Sequence, residues 1–542
     1  MIRLMIIAIS IYFTSIAPNL IYAQSWPHVY DTTTFSWVHC LIEQYDRGYL
    51  IVGQVDPGFG GVDQTHTWLL KTDINGNLIW NKRIYNQDYI IGGNDIYQTM
   101  DGGVILIGST SKYDPGEYDI MFIKFNACGE KEWCTILSTP GNSDYGVKVV
   151  PVSDGYIGLL NYYQDWVNKR VWTIKLDLTG NVVWRKVYLQ VDTGYRNEEA
   201  CNILSTPDHG FLVTADGYYD PTGGWNGYMY SILIKTDSLG NEQWITRWGE
   251  ESNYYSLLPV SPSLSGSGNY FSANTHYKSL PFPGYVPAFI KTSPTGQELF
   301  SADLLTDTEA GITTKLHFLY PDTIITAIGW KKPLENYKQG VAKSDTNGNL
   351  ITTKVLLDSV INTFMGAALT FDKKYILAGG FSIGRPNNCI YLFKINSNLD
   401  LDSLYTAPRT YDSLCPYQIV SDTLDLENCD LYTALTNPDT SPESYQLTAY
   451  PVPSVDIINL ELPEELLVLK PMNGVKVQTI YHQWDKTTLQ VYNLQGHLTY
   501  EETIPFSKKE VKIDCSNWHQ GMYLVRLIYN NAIVGGVKVV VK

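Results

Sequence analysis

Leu70-Lys71-Thr72-Asp73-Ile74-Asn75-Gly76-Asn77-Leu78-Ile79-Trp80 decides the fold, because the chain repeats this line. It returns as Ile123-Lys124-Phe125-Asn126…Gly129…Trp133, as Ile174-Lys175-Leu176-Asp177…Gly180-Asn181…Trp184, and as Ile234-Lys235-Thr236-Asp237…Gly240-Asn241…Trp244. Weaker copies surround Lys291, Lys343 and Lys394, so there are seven, with their lysines 51 to 60 residues apart. An apolar run precedes each one, such as Tyr49-Leu-Ile-Val52 or Val104-Ile-Leu-Ile107. A period near fifty, short strands and no helical periodicity read as β-propeller blades. A kelch-like or eight-bladed ring is the rival, and the count of seven argues against eight.

In the first copy the pattern predicts strand A at His39–Glu43, B at Tyr49–Val55, C at Thr67–Thr72 and D at Leu78–Arg83. Asp-x-x-Gly-Asn is then the C–D hairpin. Its Asp accepts bonds from the turn backbone, and its Gly supplies a positive φ. The following Trp is expected to pack between blades. Trp26-Pro-His-Val-Tyr30 reads as a further D strand that helps close the ring. Asp73–Asn77 and Asp345–Asn349 have calcium-loop chemistry but lack the later bidentate Glu of an EF-hand, so they read as structural turns, with no metal and no cofactor expected. The recurring Lys reads as a strand-edge charge, because a group present in every blade is architectural.

Composition narrows the function classes. A net charge of −16, 13% aromatics and only 17% charged residues exclude a disordered chain and a basic nucleic-acid binder. Arg3, the apolar run Leu4–Ile16 and Ala23 before Gln24 describe a signal peptide over residues 1–23. No later stretch is long and apolar enough to span a membrane, so no transmembrane segment is expected in the mature chain. Eight cysteines in an exported chain can form disulfides. Cys128 and Cys134 flank one C–D turn and could bridge its strands, while Cys415 and Cys429 bracket a Pro/Asp-rich segment that a staple would help. Cys40, Cys201, Cys389 and Cys515 read as buried small hydrophobes.

Propeller connectivity puts the short A–B and C–D turns on one face and the long, variable B–C loops on the other. Variable loops on a rigid frame are where binding resides. Seven aromatics there, Tyr113, Tyr163, Trp166, Tyr219, Trp225, Tyr285 and Trp330, could stack on sugars or anchor a peptide. Asp216 and other loop acids could add a cation, whereas Glu198-Glu199 reads as solvated charge. No Gly-x-Ser-x-Gly, His-Glu-x-x-His or phosphate loop occurs, so no catalytic residue is assigned.

Blade seven ends near residue 403, making 24–403 the propeller and 404–445 a linker. From 446 to 542 an alternating pattern predicts a small Ig-like antiparallel β-sandwich, so the fold class is all-β throughout. Its signposts are Tyr450-Pro451-Val452-Pro453, Gly496 after a Val-rich strand, Gly521-Met-Tyr523, and a closing strand with Lys538 and Lys542. These motifs resemble the C-terminal type A sorting domain of type IX secretion cargo, with Val452 where that family carries Asn. The resemblance implies the type IX machinery as partner, passage through the periplasm and outer membrane, removal of the domain, and release or surface attachment. The line Asp177-Leu-Thr-Gly-Asn-Val-Val-Trp184 is also similar to the tryptophan-docking repeat of quinoprotein propellers and to the Asp-box turn of sialidases, which concerns blade packing alone. The expected function is a secreted or surface-displayed binding module for carbohydrate or protein. The alternatives are an extracellular hydrolase or lyase acting on polysaccharide, and a structural adhesin.

Overall fold

The computed structural model describes residues 25–30, 35–56, 65–113, 116–139, 141–163, 169–188, 195–220, 228–248, 256–278, 284–360, 362, 364–382, 389–432, 445–461, 487–493, 498–504, 510–529 and 532–542. The expected signal segment, Trp166, Trp225 and Gly496 lie outside them, as do the side chains of Tyr163 and Tyr219. The described residues are all-β and form two units, divided between Thr436 and Asn437.

The first unit is a seven-bladed propeller. Blade one consists of Phe35–Glu43, Tyr49–Asp56, His66–Thr72 and Leu78–Ile84, paired antiparallel in that order. Six more blades follow, and each inner strand packs against the next, the first meeting the seventh. The second and third strands of a blade are apolar on both faces because blades cover both sides. His66–Thr72, Asp119–Phe125 and Cys389–Ile395 are buried at every position. Outer strands are wet, as at Glu298–Asp303 and Leu350–Asp358. The outer strand of blade seven is His28–Tyr30, with His28 opposite Leu392 and Tyr30 opposite Ile390, so the N-terminus closes the ring as expected.

The repeated turn explains both its own residues and the blade spacing. Asp73 Oδ1 accepts the Asn75 and Asn77 amides at 2.8 and 2.7 Å, and Gly76 takes φ 85°. The Asn77 side-chain amide donates to the other oxygen, Oδ2, at 2.8 Å, so the carboxylate holds the turn together. The next blade's turn receives the Trp. Trp133 donates its indole N–H to the Leu178 carbonyl at 3.0 Å, Thr135 donates to the Gly180 carbonyl at 2.8 Å, and a Cβ on Gly180 would lie 2.6 Å from the Trp133 ring. Trp244 meets the Pro294 carbonyl in the same way, and at the closure Tyr30 donates to the Gly76 carbonyl. Four of the seven recurring lysines are no strand-edge charges. Lys71, Lys124, Lys175 and Lys235 reach back to Asp46, Asp101, Asp154 and Asp208 in their own A–B turns at 2.7–2.8 Å, clasping blades one to four.

The stretch after blade seven is not a free linker. Asp422–Leu424 adds in parallel to Lys82–Ile84 of blade one, and Asp430–Tyr432 to Thr135–Leu137 of blade two. This strap also takes the place of a neighbouring turn, since the Trp80 indole donates to Asp412 at 2.9 Å. The disulfides correct the expected pairing: they are Cys128–Cys415 and Cys134–Cys429, with Cα separations of 4.9 and 4.7 Å. Register is the reason. Cys134 stands opposite Ile123 rather than Cys128, while Asp430 opposite Thr135 brings Cys429 alongside Cys134. Low local apolar content made the strap read as a linker, but Ile419 and Leu426 are buried in the core shared by blades one and two.

The second unit is a sandwich of a five-stranded and a three-stranded sheet. Its core holds Ile458, Leu460, Leu489, Val491, Val511, Ile513, Val525 and Val539. Tyr523 is buried against Trp518 and donates its hydroxyl to the His519 carbonyl at 2.7 Å. Tyr450 is exposed and bonds Glu510, and the Lys542 amide donates to Ser454, the residue after Pro453. Lys538 lines a groove of about 380 Å³ with Arg526, Tyr492 and Met522.

Candidate functional site

The two propeller faces differ in what they leave free. On the face of the A–B and C–D turns, carboxylates, indoles and lysines are spent on turns, docking and clasps. The opposite face carries the B–C loops. Tyr285, 40% exposed, stands opposite Tyr277 in register with the rings 5.4 Å apart, and His276 Nδ1 lies 2.9 Å from Asp303 at the same edge. Tyr113 is equally exposed and has the Lys112 ammonium 5.2 Å from its ring. Trp330 is a correction: at 4% exposure it is core. It packs in the cluster of Phe271, Phe289 and Leu316, because strand B runs farther than expected, to Lys331, and turns that indole into the interface between blades five and six.

A second feature of this face was read as solvated charge. Glu198 and Glu199 sit on opposite faces of one inner strand, Tyr195–Ser205. Glu198 is buried and accepts the Tyr230 hydroxyl at 3.2 Å. Glu199 is cross-strand from Asp216 and pairs with Lys169 at 2.7 Å. The Cys201 thiol donates to Asp216 at 3.3 Å. Burial, with the Glu199 charge adding to it, pushes Asp216 up to about 6, so this carboxyl keeps its proton to a higher pH than an ordinary aspartate. The acidic doublet was visible in the sequence; its strand register with Asp216 was not. Among the described residues no group of His, Cys, Asp and Glu is arranged to hold a metal.

Residues 448–542 match the family described as the secretion system C-terminal sorting domain. The chain is type IX secretion cargo. Its destination is therefore the cell surface or the medium, and among the described residues no helix is long and apolar enough to cross a membrane. Comparison of the cargo with curated proteins found no match. The cargo is similar to a solved structure described as polysaccharide lyase PL25, an ulvan lyase, at 10% identity and TM-score 0.47, over 68% of this chain and 96% of that one. It is also similar to a Dyadobacter fermentans protein of unknown function, at 10% identity and TM-score 0.39, over 68% and 98%. A Penicillium chrysogenum α-L-arabinanase in complex with arabinobiose gives 9% identity and TM-score 0.36, over 68% and 98%.

Proposed function

We propose that the propeller is a binding module for an extracellular carbohydrate or protein, engaged at the B–C loop face. The observation that supports this reading is the exposed, edge-supported Tyr285 ring, on a face whose opposite is occupied by blade docking. A tyrosine held by a second ring offers a rigid apolar surface with a polar tip, at little entropic cost to a sugar or peptide. Glycan and peptide arrays probed with the full exported chain test it. Tyr285→Ala is expected to weaken the ligand found at least tenfold with an unchanged melting midpoint. Unaltered binding by that variant and by Tyr113→Ala would remove the loop face from consideration, and no ligand at all would favour a structural adhesin.

Asp216 supports a second reading, an extracellular polysaccharide hydrolase. A carboxyl that holds its proton to about pH 6 can protonate a departing glycosidic oxygen, while Glu199, cross-strand from it, takes the proton of the attacking water. Release of reducing ends should then fall as pH rises through about 6, and Asp216→Asn should lower kcat by ~10²–10⁴. Full activity in Asp216→Asn would end this reading.

A further inference from the structure

In blades one to six the pairing of strand A with strand B breaks register. Such a break re-aims the residue that follows it. Cys40 then stands opposite Val52, Asp95 opposite Ile107, Lys148 opposite Leu159 and Lys315 opposite Ala327, one equivalent place in each blade. The remaining blades put Asn202, Ser261 and Gly366 there, all uncharged. The seven positions make a belt around the central channel. Lys315 of blade six senses the charges of Lys148 of blade three, Cys40 of blade one and Asp95 of blade two, which its blade can meet only across the channel.

The cations of this belt are not matched by its anions. Lys148 pairs with Asp95 at 2.7 Å, and the second Asp95 oxygen accepts the Val149 amide at 3.1 Å. Among the described residues the Lys315 ammonium has neither a hydrogen bond nor an ion pair, although it is partly buried. Two like charges that face one another favour an anion placed between them. We propose that the belt is an anion-binding site, in which Lys315 and Lys148 hold a carboxylate or sulfate group carried by a ligand in the channel. This site is separate from the loop face, and either can fail without the other.

Burial, with the Lys148 charge adding to it, holds Lys315 down to about 8. The other groups facing it do not titrate near that value. Burial keeps His317 and His39 down at about 4, and Cys40 is pushed up to about 11 by burial and Asp95. Lys148 is raised, its Asp95 partner outweighing burial, and buried Tyr375, which contacts His317, is pushed up. Between pH 6.5 and 9.5 Lys315 is thus the group that loses its charge.

Acetate and sulfate are the two probes, titrated calorimetrically into the full exported chain at constant ionic strength. At least one should bind at pH 6.5 and weaken about thirtyfold at pH 9.5, where about 3% of an amine of that pKa stays protonated. Binding of acetate alone would assign the ligand group as a carboxylate, and of sulfate alone as a sulfate ester. Lys315→Met should abolish binding, and Lys315→Arg, charged at both pH values, should bind equally at each. Should Lys315→Met not fold, the arginine variant and the wild-type pH series still decide. No response of the wild type to either anion, equal affinity in wild type and Lys315→Met, or a wild-type affinity independent of pH would overturn the proposal.

Discussion

Removing both disulfides, by Cys128→Ser with Cys134→Ser, is expected to free the strap and lower the stability of the propeller by about 3–6 kcal/mol. Cys128–Cys415 closes a loop of 287 residues, and chain entropy puts such a closure at up to about 5 kcal/mol. Once it is formed, Cys134–Cys429 closes a far smaller ring through the short stretches between the paired cysteines, contributing about 3 kcal/mol at most. Either single link therefore retains most of the effect, and the pair is markedly less than additive. The strap holds real contacts that it would lose: Trp80 to Asp412, Lys82 to Asp422 at 2.7 Å, and buried Ile419 and Leu426. Limited proteolysis with and without reductant, read beside the melting midpoint, checks this. Cleavage within 404–432 should appear only after reduction or in the double variant, and identical digests with an unmoved midpoint would refute the strap's role.

Lys71→Met is expected to cost about 3–5 kcal/mol. The Lys71 ammonium is fully buried and donates to both oxygens of Asp46, itself 1% exposed, and to Gln44 at 2.6 Å. Burial outweighs the pull of Asp46 and holds this lysine below the ordinary range, so the pair stands on geometry rather than on cheap desolvation. Removing the cation alone leaves a buried carboxylate without its counter-charge. Adding Asp46→Asn to Lys71→Met should therefore restore part of the loss. The same substitution at Lys175 provides the contrast: its partner Asp154 is 68% exposed, and water can replace the lysine at a cost of about 0–1 kcal/mol. Denaturant titration of the variants decides; equal losses at the two positions would show that burial does not govern the clasp.

Much of the propeller was legible because each blade repeats local chemistry. Asp73, Gly76 and Trp80 sit within one hairpin, and their spacing alone specifies a turn with a positive-φ glycine and an aromatic to dock. Ring closure was legible too, since Trp26–Tyr30 mimics a D strand. Legibility ended where partners are distant. Trp330 lies at the rim of a loop in sequence but inside an interface in space. Glu199 needed its cross-strand register with Asp216 before a carboxyl pair became visible.

The sequence by itself determined an all-β chain of seven repeats, its turn chemistry, and a terminal sorting domain, because these depend on neighbours within a few residues or on a motif at the chain end. Tertiary structure alone decided the disulfide partners, the strap and the channel belt. The disulfides join residues 287 and 295 apart, the parallel pairings join segments at least as distant, and a one-residue break in a strand reverses which side chain faces the axis. None of these leaves a trace in local periodicity.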